Sequence, residues 1–416
     1  MARPSRSQSW ALAALAATQL MVILDGTIVN VALPTIRGDL GFTDAGLAWV
    51  VNAFFVAFAL LLLPAGRLAD LVGARRVFLT GLVVFTAASA LCGLARGSEL
   101  LVAARFLQGI GGALASAVVL GMIARLFADD ERRRTQAFGL LAFVGAAGAS
   151  IGVVAGGLLV ELASWRWVFL VNVPIGLLTI PVALRHLDPA PGTGVRRAAA
   201  GGGLVPRALF GARPFVVANL VLGTMTLAGF SFQFLSALYL QDVLGLGPMS
   251  TGLSYLPVTI AIAVCSLALS GRLAERYGAA RVLVAGLLLF VVGLLLLART
   301  PADGTFWVDV APAFAIMGAG FGLAMPQVTA IAMAAAPPEH SGVASGFVTT
   351  TQQVGGVIGL ALVSVVADGA GLGAGLLVAA VVLAGGTTLA TTLLRPGPEV
   401  GRLAGDPTPA PTLERC

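Results

Sequence analysis

Apolar runs of membrane-crossing length recur along the whole chain, and no other sequence feature restricts its fold so tightly. At a rise of 1.5 Å per residue, a helix needs about 20 residues to cross roughly 30 Å of hydrocarbon. Twelve runs meet that need: 10–33, 45–66, 77–95, 99–123, 136–160, 165–184, 214–240, 249–271, 281–299, 306–333, 342–366 and 371–394. They are continuously apolar, whereas strands of a membrane barrel alternate apolar and polar residues, so helices are expected. Only 11% of residues are charged, against about 25% in soluble domains. The predicted class is an all-α polytopic membrane protein.

The chain has no Lys, so all 25 basic residues are Arg. With the N-terminus inside, 20 of them fall in cytoplasmic segments, and four fall outside: Arg37, Arg96, Arg166 and Arg299. Arg105 lies within a run. Such a bias over short loops is the positive-inside signature, which predicts cytoplasmic termini and a plasma (inner) membrane location. The pI near 10.2 therefore reports orientation, and no nucleic-acid partner is expected. Trp49, Trp165, Trp167 and Trp307 sit near the outer run ends, as an interfacial belt requires. Arg3 and Arg6 precede a run too long for a signal peptide, so an uncleaved first helix is expected. Cys92, Cys265 and Cys416, with His186 and His340, form no ligand cluster, so neither metal nor cofactor is predicted.

Residues 66–77 read GRLADLVGARRV and residues 271–282 read GRLAERYGAARV, with eight of twelve positions identical. Both copies follow a run, the second and the eighth, and so mark equivalent points of two six-helix units. The predicted organisation is a first bundle at 1–184, a polar linker at 185–213, a second bundle at 214–394 and a tail at 395–416. Gly66 and Gly73 suit a tight turn, Asp70 can sit at a helix N-terminus, and Arg75 and Arg76 can hold the inner leaflet. The second copy offers Gly271, Glu275 and Arg281 at the matching places. Repetition at equivalent points predicts a cytoplasmic latch that breaks as the halves rock.

With these residues in place, the chain resembles the major facilitator superfamily, and within it the drug:proton antiporters of the fourteen-span group. The repeat resembles the superfamily's signature loop. LDGTIVNVALP (24–34), RFLQGIGGA (105–113) and WRWVFLVNVPIG (165–176) are similar to that group's motifs in helix 1, helix 4 and after helix 5. The resemblance implies the major facilitator fold, two six-helix bundles related by a pseudo-two-fold axis that rock about a midplane site. Two departures stand out. Segment 185–213 has no run long enough to supply an extra helix pair, so twelve spans are counted. In GVVAGG (152–157), Val153 stands where the export-linked motif has Pro.

Ionisable residues within a membrane are costly and usually functional. Asp25 lies eight residues before Leu33 and Arg105 six residues after Glu99, so both stand about 10 Å from the outer ends of their runs. Equal depth lets them meet across a central cavity, with Asp25 exchanging a proton and Arg105 tuning it; the alternatives are a structural pair, or an Arg105 that snorkels outward to the headgroups. Gln108, Gln233, Gln327 and Gln352, with Gln353, are the polar candidates for a substrate cavity. Gly145, Gly148, Gly152 and Gly156 form one stripe for close helix packing, read as a sliding surface between the halves.

An ATP-driven pump is disfavoured, because the phosphate-binding loop requires a Lys that the chain lacks. An enzyme is disfavoured because no nucleophile has an evident base. The expected function is proton-coupled efflux of amphipathic organic compounds, drugs or antibiotics, by a monomer in the lipid bilayer with protons and a small organic substrate as its partners. A proton-coupled importer or facilitator on the same fold is the alternative.

Overall fold

The structure, a computed structural model, describes residues 6–189, 207–301 and 304–394. Its first half comprises α1 (Arg6–Leu40), α2 (Asp44–Val72), α3 (Ala74–Gly93), α4 (Ser98–Leu126), α5 (Glu131–Leu162) and α6 (Trp167–His186). The second half comprises α7 (Arg213–Gln241), α8 (Ser250–Tyr277), α9 (Ala279–Leu297), α10 (Phe306–Ala334), α11 (Ser341–Ala370) and α12 (Leu372–Leu393). Eleven of these contain a stretch long and apolar enough to cross a membrane, and α5, a continuous helix of 32 residues, is the one outside that set. Of the predicted linker, residues 190–206 lie outside the described residues, and its far end forms a one-turn helix, Arg207–Gly211. The predicted tail at 395–416 also lies outside them.

The halves repeat one packing plan. α1 packs on α5, and α2 and α3 on α4; α7 packs on α11, and α8 and α9 on α10. Each contact recurs six helices later, as a pseudo-two-fold axis requires. Between the halves, α2 and α4 meet α11, and α5 meets α8 and α10.

The outer end of α1 runs past the apolar stretch to Leu40. Its last turns are polar, and Asp39 accepts hydrogen bonds from the Trp165 indole (2.8 Å) and the Arg166 guanidinium (2.9 Å). Those bonds, the indole's first, hold the Asp39 carboxyl below its ordinary 3.8. A lowered carboxylate contributes its stability above that range and loses it only as pH falls through the lowered value, so mild acidification leaves this tie intact. Trp165 is buried by it, contrary to its expected place in the interfacial belt, whereas Trp49, Trp167 and Trp307 are exposed.

The repeated segment separates into three tasks. Gly73 and Gly278 adopt φ of 102° and 89°, and both form the turn between successive helices. Gly66, expected in that turn, instead lies inside α2 and faces α11: a Cβ there would stand 2.5 Å from the Gly342 carbonyl oxygen. Asp70, one turn further along α2, accepts from the amides of Gly342 (2.8 Å) and Val343 (3.0 Å). It thus caps the N-terminus of a helix in the opposite bundle.

The second copy acts differently. Gly271 lies inside α8 facing α5, near Gln136, and Glu275 meets Arg132 at 3.3 Å in a part-exposed ion pair. The reason lies at the two helix starts. α11 has no side-chain cap of its own, so its first amides are free for Asp70, whereas Asp130 already caps α5 by accepting from the Arg133 amide (3.0 Å). A charge-assisted pair of bonds is worth about 1.5–3 kcal/mol per bond, and an exposed pair about 0–1 kcal/mol. The first copy is the stronger clamp. Arg75, expected at the leaflet, donates to the Leu184 carbonyl at the end of α6, within its own bundle. Arg76 and Arg281 remain exposed.

Overpacking costs about 1–3 kcal/mol, so Gly66→Ala should part α2 from the start of α11. Hydrogen exchange at the Gly342 and Val343 amides is expected to quicken about tenfold or more, since about 1.4 kcal/mol is a factor of ten. Unchanged protection at both amides would dismiss the contact as the clamp.

Candidate functional site

Two regions in the centre of the molecule carry the chemistry: a sealed charge cluster in the first bundle, and a cavity between the bundles. Asp25 and Arg105, predicted to meet from their depths, form an ion pair with both side chains fully buried. The carboxylate is saturated by three neighbours. Arg105 donates to Oδ2, and Gln108 (2.7 Å) and Asn172 (3.2 Å) donate to Oδ1. Arg105 also donates from Nε to the Val50 carbonyl (2.7 Å) and from Nη1 to Gln108 Oε1 (2.7 Å). Gln108 donates to Ser89 as well (2.8 Å), so α1, α2, α3, α4 and α6 all meet at this cluster. The guanidinium lies between two rings, 4.6 Å from the centroid of Phe54 and 5.6 Å from that of Phe169. Arg105 Nη2 and Asn172 Oδ1 have no hydrogen-bond partner among the described residues.

The cavity has a volume of about 520 Å³ and is bounded by both bundles. The first bundle contributes the rings of Phe54, Phe55, Phe58 and Phe138, and the second those of Phe230, Phe232, Tyr255, Phe290 and Phe321. Four amides, Gln19, Gln233, Gln352 and Gln353, complete the polar part with Ser116 and several threonines. Among the described residues no charged side chain lines it. Phe54 belongs to both regions, with one face against Arg105 and its edge of the wall toward the cavity.

Toward the Arg-rich ends of the helices the bundles are in contact. Besides the Asp70 clamp and the Arg132–Glu275 pair, Gly346 approaches the Leu62 carbonyl, where a Cβ would stand at 2.8 Å, and Gly121 likewise approaches that of Ser341. The bundles meet there through small residues whose backbones touch.

The predicted site residues divide on this geometry. Gln233 and Gln352, with Gln353, line the cavity. Gln108 and Gln327, expected there, do not: Gln108 is bound into the charge cluster, and Gln327 donates to the carbonyl and hydroxyl of Ser270 on α8 (3.2 and 2.8 Å). An amide in an apolar run pairs with whatever polar group lies nearest, and run composition does not show which face that is. The stripe Gly145, Gly148, Gly152 and Gly156 packs α5 on α1, against Leu20, Ile23, Thr27 and Ile28. It is an intra-bundle seam, and the close approaches between the bundles are made by other glycines, Gly66, Gly121, Gly139, Gly342 and Gly346.

Asn172, Ser89, Phe54 and Gln19 escaped sequence reasoning. Asn172 sits inside the quoted WRWVFLVNVPIG motif, a polar residue between apolar neighbours, which was the available signal. The cavity phenylalanines gave none, because each lies in a run already apolar throughout.

Comparison with known proteins agrees with this architecture. The family profile described as Major Facilitator Superfamily matches residues 15–360 and 258–414. The puromycin resistance protein pur8 of Streptomyces alboniger is 35% identical over 420 residues, covering 88% of this chain and 83% of that protein. The multidrug resistance protein Stp of Mycobacterium tuberculosis is 30% identical over 409 residues, covering 86% of this chain and 75% of that protein. Among solved structures, FucP, a transporter captured in the outward conformation, superposes with a TM-score of 0.73 at 17% identity, over 93% of this chain and 99% of that one. At that identity the likeness speaks for the fold. Profile, relatives and fold agree: this multi-pass membrane chain belongs to the Major Facilitator Superfamily.

Proposed function

We propose that the protein exports amphipathic organic compounds, drugs or antibiotics, in exchange for protons, by alternating access. The observation that carries this reading is a drug-sized, mostly apolar cavity with nine aromatic rings in its wall, beside a buried carboxylate whose cation partner shares that wall. The resistance functions in the names of pur8 and Stp support the outward direction. In this reading α5 is the twelfth span, both termini face the cytoplasm of a plasma membrane, and the protein works as a monomer.

The arrangement described is then the outward-facing state, with the cytoplasmic side closed by Asp70 on α11. While Arg105 holds Asp25, their ion pair occupies the carboxylate. A substrate pressing on Phe54 bears on the guanidinium behind it, and a guanidinium that turns from Asp25 frees the carboxylate oxygen to exchange a proton. The free Nη2 donors and the free Asn172 oxygen supply alternative partners during that exchange. Proton and substrate compete through one ring rather than for one atom.

In proteoliposomes offered a panel of neutral and cationic fluorescent aromatic compounds, the wild type should move at least one compound against its gradient when a pH gradient is imposed. Asp25→Asn should keep counterflow exchange of that compound but lose the uphill component. If pH-driven accumulation in Asp25→Asn equals wild type, Asp25 has no part in coupling.

Removing one partner of a buried pair typically costs about 3–5 kcal/mol, and removing both costs less. Arg105→Ala is therefore expected to lower the melting temperature more than the double variant Asp25→Ala/Arg105→Ala. A double variant as unstable as the single one would show that the two charges are not energetically linked.

A further inference from the structure

The cavity wall combines nine rings, four amides and, among the described residues, no ionised side chain. The side chains of Gln19, Gln233, Gln352 and Gln353 make no hydrogen bond within the described residues, and neither does the buried hydroxyl of Ser116. These groups are unspent donors and acceptors facing a hollow. A ligand that left them all unpaired would bind poorly.

An organic cation finds no counter-charge in this wall. The carboxylate set behind it, that of Asp25, is fully buried and already bonded to Arg105, Gln108 and Asn172. Taking an unpaired charge out of water is costly in any low-dielectric site. Rings can offset that through their faces, but these faces are partly occupied. Phe54 holds the Arg105 guanidinium, so a second cation on its far side would meet a like charge through the ring. Phe58 stacks on Phe54 at 5.6 Å, and Phe232 and Tyr255 pack on Phe314 at 5.0 and 5.4 Å. An anion fares no better, since Arg105 is not among the residues lining the hollow and its charge is paired with Asp25.

An uncharged planar molecule meets none of these penalties. Its faces stack on the remaining ring surface, and carbonyl or hydroxyl groups at its edge pair with the amides, each of which offers both a donor and an acceptor. We infer that the cavity selects uncharged, planar aromatic compounds bearing carbonyl or hydroxyl groups, and discriminates against organic cations and anions of the same shape. The inference takes the cavity to be the substrate site of the export reading above, and gives that site its chemical class.

Acridone and N-methylacridinium test it, being tricycles of nearly equal size, the first neutral with a carbonyl and an N–H, the second permanently positive. Equilibrium dialysis against the full chain in lipid nanodiscs, corrected with empty nanodiscs for partition into lipid, should show acridone bound at least about tenfold more tightly, about 1.4 kcal/mol. Gln352→Glu and Gln353→Glu each place a carboxylate on the wall and should narrow or reverse that ratio, while an unchanged melting temperature shows that the variants are folded. Equal binding of the two probes, tighter binding of the cation, or binding of neither by the wild type overturns the inference. Failure of the export reading shows separately, as acridone that binds with the expected preference yet is not moved by an imposed pH gradient.

Discussion

A charge without water must have a partner, and that constraint shapes every part of this molecule that is not simply apolar. It explains why Asp25 and Arg105, fully buried, are surrounded by Gln108, Asn172, Ser89 and the Val50 carbonyl rather than left to face the hollow beside them. It explains why the cavity can be large and yet be lined, among the described residues, by apolar side chains, amides and hydroxyls with no charged group. It also explains the clamp between the bundles, where the Asp70 carboxylate is accommodated because two main-chain amides at the start of α11 have no other acceptor.

The internal repeat has kept its geometry and divided its labour. Gly73 and Gly278 make the same turn, and Gly66 and Gly271 the same inward face. The acids have parted ways because the helix starts opposite them differ, one lacking a cap and one capped by Asp130. The polar ties at the Arg-rich end are therefore unlike, a carboxylate on main-chain amides between α2 and α11 and a part-exposed ion pair between α5 and α8, while glycines bring the backbones together at both seams, Gly66 on Gly342 and Gly139 on Ser266.

Much of this was legible in the sequence, and the remainder was hidden for definite physical reasons. Apolar runs gave the helices because a hydrocarbon-spanning segment must be both long and unbroken. Equal depth brought Asp25 to Arg105 because helices crossing one slab share its coordinate. Depth says nothing about rotation, however, so Gln108 and Gln352 looked alike although one is bound in a cluster and the other faces a cavity. The partners of Asp70 were invisible for a deeper reason: they are peptide amides, 272 and 273 residues away, and a peptide amide has no letter in the sequence. Rings that line a cavity and rings that meet lipid are likewise written identically.

Because Asp70 grips main chain instead of a side chain, this one tie between the bundles is nearly independent of which amino acids stand at the receiving end, provided positions 66 and 342 stay small. The two halves are thus free to diverge separately over evolutionary time, one reshaping its pocket while the other stands still, without losing the ability to shut.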